Sequence, residues 1–286
     1  MNAQDWLTVT PGEAPLIVSI PHTGTDIPPD IEARMVSPWL ARKDADWWIH
    51  RLYDFAAELG ATVIRTGISR SVIDVNRDPS GQSLYPGMTT TGLCPVETFD
   101  GEPLYKVGQA PDAAEIDARR ERFFAPYHAA IETHIARQTE GGRTVVLYDC
   151  HSIRSVVPRL FDGELPQFNI GTCGDATCDP ALTAAVERIC DASGLSRVTN
   201  GRFKGGWITR HYGRPSPQAE GDKDAPGSVH AIQMELACRG YMDDPPGAVT
   251  PDNWPAPYEP ARAEPLRRTL TEILTACRDF AAERNT

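Results

Sequence analysis

An α/β fold is what this sequence predicts, and three observations carry that expectation. Short runs of Val, Ile and Leu alternate with longer segments whose apolar residues recur at helical spacing. Gly and Pro punctuate the chain between them. Two of the apolar runs lead straight into a histidine, His22 and His151, and in open α/β sheets sites gather at the carboxyl ends of strands.

The elements follow in order. Leu16, Ile17, Val18, Ser19 and Ile20, closed by Pro21, read as a buried strand ending at His22. Residues 45–59 read as a helix with Trp48, Leu52, Phe55, Ala56 and Leu59 on one face and Gly60 as its stop. Residues 61–64 give a second strand, and 72–75 a third after the bend over 67–70. Residues 78–112 are rich in Gly, Pro and Thr, with Tyr85, Leu93, Phe99 and Tyr105 at no regular period. A loop of that length inside a domain is usually functional, and this one is expected over a substrate pocket. Residues 112–139 form a long helix that Pro126 should bend or break. Residues 144–148 are the clearest buried strand and run into Asp149-Cys150-His151-Ser152. A short strand over 168–171, a helix over 180–193, a polar loop over 213–228 expected to be mobile, a strand over 229–236 and an amphipathic helix over 260–282 complete the chain. No repeat or linker divides it, so a single domain over 1–286 is expected.

Composition limits the function classes. With 286 residues, 41% hydrophobic and 23% charged, the chain can bury a full core and reads as a packed enzyme. Its net charge of −11 with no compensating Lys/Arg cluster argues against nucleic-acid binding. No basic segment followed by an apolar stretch opens it, and no run approaches the roughly 18 to 20 apolar residues of a membrane span. A cytoplasmic protein without membrane contact is expected, and the residues carry no signal for an oligomeric state. Seven cysteines, an odd number, do not suggest a disulfide framework. Cys173 and Cys178 lack a second close pair that would complete a four-cysteine zinc site.

The chemistry concentrates in a few residues. His22 and His151, each amid small polar neighbours at a strand end, suit a divalent metal, most simply Zn2+, which needs a third protein ligand and an open position. Asp26, Asp44, Asp46 and Asp149 are candidates for the third ligand, and Asp46 is preferred. Acidic residues at 44 and 46 also suit a helix N-terminus. Glu235 interrupts an apolar strand; desolvated beside a metal it has the raised proton affinity wanted of a general base, while an ion pair with Arg239 or Arg210 is the plainer alternative. Ser69-Arg70-Ser71-Val72-Ile73-Asp74-Val75-Asn76-Arg77 offers two guanidinium groups and an amide for the carboxylates of a small diacid. On a strand Arg77 would point away from Asn76, unless the chain turns there, as Asp78-Pro79-Ser80-Gly81 allows. His50, His128 and His134 read as surface or packing residues inside helices, and His211 and His230 stay open.

Taken together, Pro21-His22-Thr23-Gly24, the acidic stretch around Asp44 and Asp46, the 69–77 run, Asp149-Cys150-His151-Ser152 and Gln233-Met234-Glu235-Leu236 resemble the N-formylglutamate amidohydrolases, and within them the deformylases of histidine utilisation. That resemblance spans about residues 15–244. It implies a single three-layer α/β domain with a mixed, mostly parallel sheet, similar to zinc carboxypeptidases. It also implies zinc held by His22, His151 and a carboxylate assigned to Asp46, Glu235 as base, and substrate carboxylates held by Arg70, Asn76 and Arg77. In the carboxypeptidases the carboxylate ligand lies three residues after the first histidine, and here that position is Thr25. The implied reaction is hydrolysis of N-formyl-L-glutamate to formate and L-glutamate. The alternatives are a related amidohydrolase for another N-acyl acidic amino acid, such as an N-acetyl or N-succinyl compound, and a carboxylate-binding or metal-sensing protein without turnover.

Overall fold

The computed structural model describes residues 6–83, 87, 90–215 and 227–286. Among the described residues, seven strands form one sheet: β1 (Leu7–Thr10), β2 (Leu16–Ile20), β3 (Thr62–Thr66), β4 (Val145–Ile153), β5 (Phe168–Gly171), β6 (Arg197–Thr199) and β7 (Val229–Ala237). Across the sheet they run β1-β3-β2-β4-β7-β5-β6. The β3-β2-β4-β7 centre is parallel and β5 pairs parallel with β6, while β1 against β3 and β5 against β7 are antiparallel. The sheet is therefore mixed and mostly parallel, as the resemblance implied.

Helices cover both faces, because the side chains of the central strands alternate between two cores. On β4, Val146, Tyr148 and Cys150 pack with α5 (Pro180–Ala192) and α7 (Pro260–Arg284), while Val145 and Leu147 face the opposite core, where α4 (Ala125–Thr139) contributes Tyr127, Ile131 and Ile135. In α7, Leu266, Leu270, Ile273, Leu274 and Cys277 form a buried stripe; each buried Leu or Ile contributes about 1.5–3 kcal/mol. Alternation also sets up the site. Asp149 and His151 on β4 and Gln233 and Glu235 on β7 continue the parity of Val145 and Val229, so the apolar face of the sheet becomes polar at its carboxyl end.

Several elements differ from the sequence reading. Residues 72–75 are not a strand. Ser71 N donates to Ser69 Oγ, Val72 N to Ser69 O, Asn76 N to Asp74 Oδ1 and Arg77 N to Asp74 O, so side-chain-capped turns replace extended backbone. The helix expected over 45–59 is broken into α2 (Ile49–Leu52) and a 3-10 segment, Asp54–Leu59. Trp48 precedes α2 in a left-handed conformation (φ 62°), its indole nitrogen donating to Ala256 O at 2.8 Å. The long helix is α3 (Ala113–Arg119) joined to α4 through a π-helical turn, Arg120–Phe124. Pro126 follows that turn without ending the helix, since the wider turn accommodates the missing N–H. The second strand is Thr62–Thr66 rather than 61–64. Among the described strands and α-helices, four short ones were not anticipated: β1, β6, α1 (Pro29–Glu32) and α6 (Trp207–Tyr212). Of the expected mobile loop, 216–226 lie outside the described residues, as does Tyr85. No helix among the described residues is long and apolar enough to cross a membrane.

Candidate metal centre and substrate cleft

The site is built by adjacent strand ends. β4 and β7 are in register, with His151 opposite Glu235 and Asp149 opposite Gln233, so parallel pairing sets an imidazole and a carboxyl on one face about 4.8 Å apart in backbone. His22 lies just past β2, the neighbour of β4 on the other side. Asp46 reaches it from the loop before α2: its N–H donates to His22 O at 3.0 Å, and its Oδ2 accepts from Ser152 N at 3.1 Å.

Three donor atoms converge. Nδ1 of His151 is 3.1 Å from Nδ1 of His22 and 3.3 Å from Asp46 Oδ2, and His22 Nδ1 is 3.8 Å from Asp46 Oδ2. Tetrahedral zinc with ligand lengths of about 2.0–2.1 Å separates its donors by roughly 3.4 Å, so this triangle fits such an ion. Among the described residues no other group of three His, Cys, Asp or Glu donors is placed to hold a metal; Cys173 and Cys178 form no such group.

The second nitrogens explain the orientation. His22 Nε2 donates to Asp74 Oδ1 at 2.7 Å and His151 Nε2 to Asp149 Oδ2 at 2.8 Å. Carboxylates accept only, so both Nε2 atoms carry hydrogen and both Nδ1 lone pairs point inward, the arrangement that metal-ligating histidines use. Two lone pairs 3.1 Å apart repel one another unless a proton or another cation lies between or beside them, and burial and the neighbouring charges act differently on the two rings. Burial opposes charge on His151, yet the carboxylates of Asp149 and Asp46 outweigh it and hold its pKa well above the ordinary value. Burial and the Arg70 charge hold that of His22 below. A proton on one imidazole thus satisfies a pocket of negative charge that a divalent ion would satisfy better.

The 69–77 run forms the layer behind the donors. Asp74, fully buried, accepts from His22 and from Asn76 N on Oδ1, and from Arg70 at 2.7 Å on Oδ2, with Arg77 at 3.5 Å. Despite complete burial, the charges of Arg77, His22 and Arg70 hold its carboxyl well below the usual range. Arg70 also donates to Asp46 Oδ1 at 3.3 Å and lies 4.8 Å over the Phe99 ring. Asn76 donates to Asp149 Oδ2 at 3.0 Å, and its Oδ1 accepts from Ile208 N. Arg77 is half-buried and bonds Thr91 rather than pairing with Asp78. The sequence reading gave Asp74 no role of its own and Asp149 that of a candidate ligand. Both instead orient histidines, and the signal for Asp149 was its spacing of two from His151 on a strand. Of the remaining third-ligand candidates, Asp44 Oδ2 accepts from Phe99 N at 2.7 Å, and Asp26 N bonds Gly67 O beside β3.

A cleft opens onto these groups. His22, Arg70, Asn76, Arg77, His151, Gln233 and Glu235 line it, with Thr90, Thr91 and Phe99 from the long loop, and Ile153, Leu160, Arg202 and Phe203 beyond. The expectation that residues 78–112 reach a pocket is met by those three. Glu235 is 7% exposed and makes no ion pair among the described residues; Arg239 instead bonds Ser155 Oγ. Burial pushes the Glu235 carboxyl up to about 8, against the charge of His151. Arg202, Phe203 and Gly206 gave no signal in the sequence, because the segment after β6 has no regular pattern.

Three of the other histidines have partners away from the donor triangle. His128 is buried between Tyr212 and Val75 O, His211 stacks on Trp207, and His230 Nδ1 accepts from Asp179 N.

The matches to known proteins agree with this geometry. The sequence profile of the N-formylglutamate amidohydrolases matches residues 14–242. The chain belongs to the N-formylglutamate amidohydrolase family. It is similar to an N-formylglutamate deformylase of Pseudomonas aeruginosa, with 44% identity over 96% of both chains. One of Pseudomonas putida is 41% identical over the same shares. The crystal structure of an N-formylglutamate amidohydrolase from Ralstonia eutropha superposes with a TM-score of 0.75 at 22% identity, covering 98% of this chain and 99% of that one. A crystallised gene product of Agrobacterium tumefaciens gives 0.67 at 18%, covering 96% and 95%. At those identities the two structures speak for the fold.

Proposed function

We propose that this protein hydrolyses N-formyl-L-glutamate to formate and L-glutamate, with a divalent metal, most simply Zn2+, held by His22, Asp46 and His151. The observation that carries the metal is the convergence of three buried donors, with each imidazole backed by a carboxylate. The substrate rests on family membership and on the two deformylase relatives that match nearly end to end. When bound, such an ion polarises the formyl carbonyl and acidifies water.

The chain's own residues supply the rest. Glu235, desolvated and facing the cleft, takes a proton from the attacking water as its oxygen adds to the formyl carbon. It passes that proton to the nitrogen as the C–N bond breaks, so formate and the free amine leave. With positive charge held by His22, Asp46 and His151, its proton affinity would fall toward the working range. Arg77 is assigned to the substrate α-carboxylate. Arg70 and Asn76 face the same cleft, and their bonds to Asp46, Asp74 and Asp149 make them holders of the donors as well as contacts for an anion. The Ser69–Arg77 turns thus tie substrate to metal site, which is how orientation supports rate. All seven cysteines are free thiols, which supports a reducing compartment and a cytoplasmic place in histidine catabolism.

Release of L-glutamate from N-formyl-, N-acetyl- and N-succinyl-L-glutamate tests the reading. Turnover of the formyl compound well above the others is expected, with Glu235→Gln binding the substrate normally and losing about 10²-fold or more in kcat. Equal turnover of the acetyl compound, or an undiminished Glu235→Gln, overturns it.

A further inference from the structure

We infer that Gln233 is the specificity-determining residue that takes the side-chain carboxylate of the substrate on its amide N–H groups; this rests on the N-formylglutamate reading above. Gln233 is 4% exposed, lines the cleft and stands two residues before Glu235 on the same face of β7. Its Oε1 accepts from Gly206 N at 2.7 Å. A backbone N–H only donates, so the amide oxygen is the atom that faces Gly206 and the NH2 is left to the cleft. Among the described residues Nε2 has no hydrogen-bond partner. A nearly buried amide with unmet donors carries a cost that a bound oxygen removes.

The chain around Gln233 holds that amide in place. Gly171 lies opposite it on β5, and a Cβ there would fall 2.8 Å from Gly205 N, so a glycine lets the segment after β6 lie directly against the sheet. Cys173 N donates to Lys204 O at 2.6 Å and Asn200 N to Ile170 O at 2.7 Å. These bonds seat Gly206 over Gln233, and the Gly206 N–H in turn polarises the amide and strengthens its free donors. A neutral donor also suits the position, which is opposite Asp149 on β4 and two residues from Glu235. A cation there would be drawn to those carboxyls, as Arg70 is to Asp46 and Asp74, and would lower the proton affinity of the base. An amide does neither.

The spacing fits the substrate. Two residues of strand put Gln233 about 6.6 Å from Glu235. In N-formylglutamate the formyl carbon and the side-chain carboxyl carbon lie about 6 Å apart when the molecule is extended. With the formyl carbon at Glu235 and the α-carboxylate on Arg77, the side-chain carboxylate falls at the Gln233 amide.

The test compares kcat/KM on N-formyl-L-glutamate and on N-formyl-L-norvaline, whose side chain has the same reach but ends in a methyl, in wild type, Gln233→Met and Gln233→Glu. The ratio of the two cancels any common loss caused by releasing Gly206. Wild type should favour the glutamate compound by about 10²-fold or more. In Gln233→Met the ratio should fall about 10- to 100-fold, mainly through the KM of the glutamate compound, while turnover of the norvaline compound reports an intact fold. Gln233→Glu keeps an acceptor for Gly206 N and should lower the ratio increasingly from pH 7 to pH 9, as the introduced carboxyl ionises. An unchanged ratio in Gln233→Met overturns the assignment, because a residue that only holds Gly206, or that binds the α-carboxylate both compounds carry, leaves it unchanged. Should that variant fail to fold, a wild-type ratio in Gln233→Glu at pH 9 overturns it. A wild type that deformylates neither compound overturns the functional reading and this inference with it.

Discussion

Asp149→Asn removes one charge from the site and almost nothing else. Asp149 Oδ2 accepts from His151 Nε2 at 2.8 Å and Asn76 Nδ2 at 3.0 Å, and its Oδ1 accepts from Ser19 Oγ at 2.8 Å. An asparagine whose oxygen occupies the Oδ2 position keeps both bonds there. Its NH2 then faces Ser19 Oγ, which can accept it while donating to Tyr127 OH at 3.0 Å. The tautomer of His151 and the direction of its Nδ1 are thereby retained, and the carboxylate that strengthens the imidazole as a ligand is lost. Replacing such a partner costs about 10- to 100-fold in metal affinity, or about 1.4–2.7 kcal/mol. The assay is a zinc titration of chelator-stripped protein against a chromophoric competitor, with formate release measured at each metal concentration. Weaker zinc binding and activity restored at saturating zinc are expected. Affinity within twofold of wild type would refute the claim that Asp149 acts by orienting and polarising a metal ligand.

Gly206→Ala places a Cβ 2.4 Å from Asn76 Nδ2 on a backbone that alanine tolerates; it should displace Asn76 and lower kcat/KM on the order of 10- to 100-fold while circular dichroism stays unchanged. Neutral His128 donates from Nε2 to Val75 O and accepts at Nδ1 from Tyr212 OH, each at 2.8 Å, and burial pushes its pKa down to about 4. Its folded pKa lies below the unfolded value, so the unfolded chain takes the proton first, and this group withdraws stability as pH falls from about 6.5 to about 4, by up to about 3 kcal/mol. Urea midpoints for wild type and His128→Gln at pH 7.5 and 4.5 check this; parallel pH profiles would contradict it. Ile273→Ala in α7, fully buried, should cost about 2–5 kcal/mol in urea unfolding without altering KM.

Much of this architecture is legible in the sequence because burial on both sheet faces leaves long apolar runs, as in β2, β4 and β7. The site was legible where strand parity carried it: Asp149 and His151 two apart, Gln233 and Glu235 two apart. The 69–77 run misled because Val72, Ile73 and Val75 have strand propensity, while Ser69 and Asp74 hydrogen-bond the backbone into turns that still bury those apolar side chains. The break before α2 was hidden for another reason. Trp48 adopts a left-handed conformation next to an indole bond with Ala256, more than two hundred positions away, and local periodicity carries no trace of it. Arg202 and the arm bearing it depend on contacts to β5 and β7, which only the assembled sheet provides.

Metal content read alongside activity tests the central claim most directly. Purified protein should carry one divalent ion per chain, lose it together with formate release on chelation, and regain both with zinc, whereas His22→Ala with His151→Ala should hold no ion while keeping its fold. Full deformylase activity in a metal-free preparation, or an undiminished metal content in the double variant, would contradict the account.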